Sequence, residues 1–303
     1  MNEPRDHHYV PQFYLRNFAV DDQKKKITTV AKNGEFSVWN IRSIESLGYE
    51  RDLYVNMNKG MPISVEIDIN RRVETPISKS ETWAKIASGR SDHLDKSDMP
   101  ILYALIRHFE ARTPHYRATT KELARLAISS SKDIPFTEEE RKHYAFLHAN
   151  PELGKMTFNL MASSLAWTEE SFSRACISIL RSPIPLRSSS TPAVSMSVPA
   201  HPSLYLPLPG MVPYQLLLPL NRTTMASLIL ADFDDNFTNI EINEDVARAF
   251  NRHFVGQFAH FENIRHLITD RNDLITDMTW APFDLIKDTK QKITFRRRSS
   301  ENN

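Results

Sequence analysis

The chain has 303 residues, a formal net charge of +1 and a single cysteine, Cys176. One cysteine excludes an intramolecular disulfide and a thiolate zinc site, and a charge near zero leaves no global field to draw the chain onto nucleic acid or a membrane. Seven glycines, with neither a P-loop nor a dinucleotide fingerprint among them, leave no Gly-rich phosphate loop. No apolar run reaches the roughly 18 residues needed to span a bilayer, and the polar N-terminus lacks an apolar signal region. A cytoplasmic location, with no membrane and no disulfide-linked partner, is expected. A hydrophobic share of 41% and a charged share of 25% suit one large domain or two modest ones.

The densest stretch comes first. Arg5 to Phe18 reads RDHHYVPQFYLRNF, with two histidines, a proline and several aromatics. Tyr9 and Val10 favour an extended backbone, and Pro11 pushes Val10 away from the helical region. In an extended segment His7 and His8 point to opposite faces. One can then be held by Asp6 or by the core while the other faces a cleft. Histidine titrates near neutral pH and can act as general base, general acid or metal ligand. Arg16 offers a planar fork for phosphate or carboxylate.

Lys24–Ala31 and Glu35–Ile41 read as strands joined at Asn33-Gly34, a strong hairpin signal. Asp52–Val55 reads as a third short strand. From Ser64 the period turns helical, with Val65, Ile69 and Val73 on one face. Glu66 and Glu74 lie eight residues apart, where their carboxylates could reach a metal held by the N-terminal histidines. Ser80–Ser88 continues as a helix around Trp83. Asp98–Arg112 is the clearest helix, with Asp98 as its expected cap and Pro100 in its first turn. Its stripe is Ile101, Leu102, Leu105, Ile106 and Phe109. His108 and Arg112 are neighbours off that stripe. Helices are expected over Tyr116–Ser129, Thr137–His148, Pro151–Trp167 and Thr168–Arg181, the second opened by a Thr137/Glu140 capping box. The Ser- and Pro-rich stretch Arg181–Pro213 is expected to hold short extended pieces within Leu186–Val198 and Leu204–Leu208. Tyr214–Leu220 and Thr224–Phe233 read as an antiparallel strand pair. Asn243 caps a long helix expected to reach Thr269, with Val246, Phe250, Phe254, Phe258 and Phe261 as its apolar stripe. The tail beyond Pro282 ends in Arg296-Arg297-Arg298 and is expected to be disordered.

HHYVPQFYLRNF resembles the opening signature of a large domain-of-unknown-function family, His-x-x-Pro-x-x-Tyr-Leu-x-x-Phe. His8, Pro11, Tyr14, Leu15 and Phe18 match it. Trp39 on an early strand, Arg112-Thr113-Pro114 closing a helix and a late Pro219-Leu220 strand end are further similarities. The chain departs at Ser190-Thr191-Pro192, where a Ser-Asp-Asn-Pro sequence would be expected. That removes the acid a catalytic carboxylate in this loop would need. The family implies no settled activity. Asp6-His7-His8-Tyr9-Val10-Pro11 also resembles the Asp-His-His-x-x-Pro fragment of the His-Asn-His nucleases. The Gly-Gly and the helical metal histidine that usually follow are absent.

The expected fold class is α+β: a small antiparallel N-terminal sheet, a central helical block, a second antiparallel strand pair and a long C-terminal helix. The expected division is 1–60, 61–182, 183–281 and the tail 282–303, the third packed with the first as one domain. The expected function is a nucleic-acid-directed hydrolase, a toxin or defence nuclease, with His7 or His8 as base and Arg16, His108 and Arg112 directed at phosphate. Tyr14 stands with them as a candidate site residue. A divalent metal is an optional cofactor on this reading. The alternative is a non-catalytic module that recognises a protein or nucleic acid, its signature serving the fold.

Overall fold

The protein is described here from a computed structural model that covers residues 6–58, 61–129, 136–163, 175–195, 214–230 and 235–298. The first strand, β1 (Asp6–His8), is stopped by Pro11, and α1 (Gln12–Leu15) follows it. The Asn33-Gly34 turn joins β2 (Lys26–Asn33) to β3 (Phe36–Ser43) as expected. Gly34 takes φ +58°, which glycine adopts without a Cβ penalty. Next come β4 (Tyr49–Arg51), β5 (Val55–Asn58) and β6 (Met61–Ser64). Of the third strand expected over Asp52–Val55, Asp52, Leu53 and Tyr54 instead form the turn between β4 and β5, and Val55 opens β5.

The helical region starts with α2 (Glu66–Ile69), a π turn over Asn70–Glu74, α3 (Thr75–Ser78) and α4 (Glu81–Ala87). Then come α5 (Met99–Ala111), α6 (Pro114–Ile128), α7 (Glu138–Ala149) and α8 (Pro151–Ser163). The Thr137/Glu140 capping box opens α7. Asp98 does not cap α5 with its side chain; its carboxylate instead accepts from Thr82 and Lys85.

The helix expected over Thr168–Arg181 is replaced, from Ala175, by a strand, β7 (Ala175–Arg181). Both of its faces are buried, through Ala175, Ile177 and Ile179 on one side and Cys176 and Leu180 on the other. A strand covered on both sides shows no polar alternation, so its sequence mimics a buried helix. After β7 come β8 (Ser188–Ser189), β9 (Val194–Ser195), β10 (Tyr214–Pro219), β11 (Thr224–Leu230) and β12 (Phe237–Glu241). The expected strand pair is therefore the middle of a five-stranded sheet in the order β12-β7-β11-β10-β9, antiparallel except at β12–β7. The piece expected at Leu204–Leu208 lies outside the described residues.

The long helix, α9 (Glu244–His260), starts at its Asn243 cap, whose side chain accepts from the Val246 N–H at 2.9 Å. It ends at His260, short of Thr269. Phe261 turns extended, and β13 (His266–Ile268) pairs with both β2 and β8. The buried face of α9 is Ala247, Asn251, Phe254, Val255, Phe258 and Ala259, while Val246 is exposed. This helix is also not C-terminal. A short helix, α10 (Leu274–Trp280), and the hairpin of β14 (Phe283–Thr289) and β15 (Lys292–Arg297) follow it. The tail expected to be disordered thus joins β3 through β15 and completes a six-stranded sheet, β14-β15-β3-β2-β13-β8. Ile293 and Phe295 alternate into the core at 0% exposure, a period of two that the surrounding charges hide. The three arginines of this stretch stay exposed but have partners on the surface of the fold: Arg297 pairs with Glu262, Arg298 with Asp284, and Arg296 lies over the Phe36 ring.

Among the described residues two large apolar clusters result, beside a small one of Leu123 and Leu126 with Phe136 and Tyr144. One joins the opening stretch, α5 and the five-stranded sheet; the other fills the space between the six-stranded sheet, α9 and α10. No helix among the described residues is long and apolar enough to cross a membrane.

Candidate functional site

The opening stretch is held by one close backbone approach. The Gly48 carbonyl accepts from both the Tyr9 and Val10 N–H groups, at 2.7 and 3.0 Å. Gly48 has φ +66°, and a Cβ placed there would lie 2.7 Å from the Val10 Cβ, so only glycine fits. β1 pairs with β4 in antiparallel register, His7 opposite Glu50 and His8 opposite Tyr49. The strand alternation separates the two histidines as expected: His7 is sealed at 0% exposure, and His8 stays partly exposed.

His7 is held as a core group. Its Nδ1 accepts the Tyr54 N–H at 2.9 Å, its Nε2 lies 3.4 Å from the Ser64 hydroxyl, and its ring stacks on Tyr54. Arg112 is fully buried. Its guanidinium donates to Glu74 and to the His8 carbonyl, and from Nε to the Tyr54 hydroxyl at 3.3 Å. Nη1 also lies 2.7 Å from His108 Nε2, so that nitrogen is the acceptor and the His108 proton sits on Nδ1. The Tyr54 hydroxyl donates to the Arg112 carbonyl at 2.8 Å. His7, His108, Arg112 and the His8 backbone therefore form one interior network, joined by Tyr54, Glu66 and Glu74.

Glu66 and Glu74 do converge, but on Arg112 rather than on a metal. Burial pushes the Glu66 carboxyl up to about 7 against the pull of Arg112, and the His8 N–H donates to it. Among the described residues no group of three His, Cys, Asp or Glu side chains is placed to hold a metal ion. Tyr14 lies elsewhere. Its hydroxyl donates to the Pro219 carbonyl at 2.7 Å and meets the Ser188 hydroxyl at 2.8 Å; burial raises its pKa. Arg16 is exposed and lines a separate hollow with Asn17, Lys24 and Arg222. Thus the six candidate residues do not form one open cleft.

His8 lines an open hollow of about 340 Å³ with Asp6, Ser43, Glu45, Ser46 and Tyr49. Its ring lies 5.8 Å from that of Tyr49, and Gln12 Nε2 is 3.5 Å from its Nε2. Burial, seconded by Arg112, lowers the His8 pKa below 6.5; the Glu45 carbonyl, which accepts a ring N–H, Glu74 and Asp6 act the other way. The balance favours the neutral imidazole. The lining of this hollow carries two carboxylates, Asp6 and Glu45, and no lysine or arginine; exposed Lys26 lies opposite the lining residue Ser43 in the strand ladder.

Sequence reasoning missed Gly48, Tyr54 and the lining residues Glu45 and Tyr49. Gly48 left one signal, its rarity in a chain with seven glycines; Tyr54 and Glu45 left none, because their roles depend on distant partners. The Pro219-Leu220 stretch lies against the opening turn, with the Leu220 carbonyl accepting from Asn17 at 3.0 Å. The Ser190 hydroxyl, in the loop without an acid, accepts the Arg265 and His266 N–H groups.

Comparison with curated proteins and with solved structures finds no match to the chain. A family model described as a protein of unknown function, DUF4238, matches residues 6–266; that is most of the chain, and the protein belongs to this family.

Proposed function

We propose that the chain is a nucleic-acid-directed hydrolase in which the His8 imidazole is the general base. One observation carries the reading: the His8 ring lines an open hollow, and burial there favours its neutral form. A general base must be unprotonated at the working pH and within reach of the nucleophile. Phosphodiester cleavage also needs positive charge near the developing oxyanion. The His8 hollow holds no lysine or arginine of its own, so on this reading that role falls to Lys26, opposite the lining residue Ser43 in the ladder, or to a bound divalent metal. Arg112 has no share in it, since its guanidinium is enclosed. A divalent metal is an optional addition, and a toxin or defence role is the finer form of the proposal.

The test is hydrolysis of single- and double-stranded RNA and DNA, with and without divalent metal, by the parent, His8→Gln and His7→Ala. The expected result is product from the parent and loss of activity, with an unchanged melting temperature, in His8→Gln. Activity that survives His8→Gln, or intact substrate throughout, refutes it.

A second reading, a non-catalytic module for protein or nucleic acid, draws on a different observation. Tyr9, Val10, Tyr14, Leu15 and Phe18 are all at or below 1% exposure, so most of the signature serves the core. A His8→Gln variant that loses several kcal/mol of stability would favour this reading.

A further inference from the structure

We infer that Glu66 and Arg112 are positioning residues that grip the His8 peptide unit from its two polar ends and so aim the imidazole into its hollow. The inference rests on the reading of His8 as the working group, and it assigns roles to two side chains that do not reach the hollow.

A residue in a strand turns its N–H and C=O to the same side. At His8 a neighbouring strand does not take both groups: the N–H donates to the Glu66 carboxylate and the carbonyl accepts from Arg112 Nη2. Two ionisable side chains, from α2 and the end of α5, thus stand where a strand edge would be. Hydrogen bonds of this kind are shorter and about twice as strong as neutral ones. Stability alone does not call for them. A buried ion network is often no better than apolar packing of the same volume, and its best-attested use is to specify one arrangement.

The local backbone is built for the arrangement. In a straight α-helix Glu66 and Glu74 would stand about 12 Å apart along the axis. The π turn over Asn70–Glu74 rewinds that stretch, and both carboxylates act on the same guanidinium. Single π turns inside helices recur at functional sites. Glu74 neutralises Arg112, which leaves Glu66 to face Arg112, Glu74, the Tyr54 hydroxyl and the His8 amide. Glu66 Oε2 is buried with no hydrogen-bond partner among the described residues.

The experiment follows the His8 ring by NMR in protein carrying ¹³C at the histidine ring carbons, the signal assigned by its loss in His8→Gln. In the parent it titrates below 6.5. In Glu66→Ala the released ring is expected to broaden and to titrate upward, toward 6.5. Glu66→Gln, which keeps an acceptor oxygen, is expected to hold the parent midpoint. Loss of a carboxylate acting only through charge would move the midpoint down, and a purely structural role would leave it unmoved; either result in a folded Glu66→Ala overturns the inference. Should Glu66→Ala not fold, amide exchange in the parent decides. The His8 N–H must exchange slowly, and exchange at the rate of a free amide overturns the grip. None of these readouts needs turnover. A chain that cleaves nothing yet shows this titration loses the hydrolase reading and keeps the grip, and a nuclease whose His8 signal ignores Glu66 does the reverse. In an active parent, Glu66→Ala is expected to lower kcat by about 10- to 100-fold with KM little changed, the effect of a displaced base.

Discussion

Replacing Glu66 by Gln separates the charge of this buried carboxyl from its shape. In the folded chain the group titrates near 7, against 4.5 for the free side chain, chiefly because burial disfavours the carboxylate. Between those two values the folded state binds the proton more tightly than the unfolded one. Its contribution to stability is therefore complete below 4.5, declines as pH rises, and is lost above about 7. The gap, at about 1.4 kcal/mol per pH unit, sets a ceiling of about 3 kcal/mol; partial exposure of Glu66 brings the expectation to about 2 kcal/mol. Glutamine cannot ionise, so the variant lacks this decline. The assay is urea unfolding of parent and Glu66→Gln at half-unit steps from pH 4.5 to 8. Subtracting one curve from the other removes the histidines and Glu110, which titrate equally in both. The parent is expected to lose about 2 kcal/mol relative to the variant across that range. A difference that is flat, or that rises with pH, refutes the burial argument.

Tyr14→Phe removes a buried hydroxyl bonded to Ser188 and the Pro219 carbonyl and should cost about 1–3 kcal/mol in chemical unfolding; a change too small to measure would mean those bonds are not formed in solution. Gly48→Ala should cost well over the roughly 1–2 kcal/mol of a left-handed non-glycine residue, because its Cβ also meets Val10. Gly34→Ala, with φ +58° but open space around it, should stay within that range, and equal melting temperatures for the two variants would remove the close-approach argument. Burial holds His115 down to about 3 and His266 to about 4, so each contributes stability that is complete above 6.5 and is lost as pH falls toward those values. Replacing His266 by Gln should flatten the fall in melting temperature below pH 6.5, and an unchanged acid slope would show that this ring is not held neutral.

Local signals in the sequence carried the local elements. Asn33-Gly34 marks its hairpin because only the turn's own backbone decides it, and the stripe of α5 is legible because Leu102, Leu105, Ile106 and Phe109 are all sealed against the sheet. β7 was not legible, since apolar residues on both faces erase the period that tells strand from helix. The end of α9 and the β14–β15 hairpin were hidden for another reason: they are fixed by pairing with β2 and β3, some 230 residues or more away in the chain. The candidate site divides along the same line. Residue types flagged His7, His8, His108 and Arg112, and these do share a network. The sequence offers no distance between residues 8 and 112, so it could not tell that the guanidinium meets a backbone carbonyl and not solvent. Arg16, only eight residues past His8, opens onto a different hollow.

Which of the two adjacent imidazoles reaches solvent is decided by register, not by histidine chemistry. A shift of one residue in a strand turns every side chain to the opposite face. Here the shift is blocked at both ends of the stretch. Gly48 takes the Tyr9 and Val10 N–H groups together, and Pro11 opens the turn that seats Tyr14, Leu15 and Phe18. With those positions fixed, His7 must point to Tyr54 and Ser64, and His8 must point to the hollow. A slip toward the N-terminus would exchange their places, but it would also pull Val10 off Gly48 and lift three sealed apolar side chains from the core. At about 1.5–3 kcal/mol for each large apolar side chain, that alternative lies several kcal/mol higher. The anchoring residues of the signature and its one solvent-facing imidazole are thus a single physical device, in which the buried members set the face on which the exposed one appears.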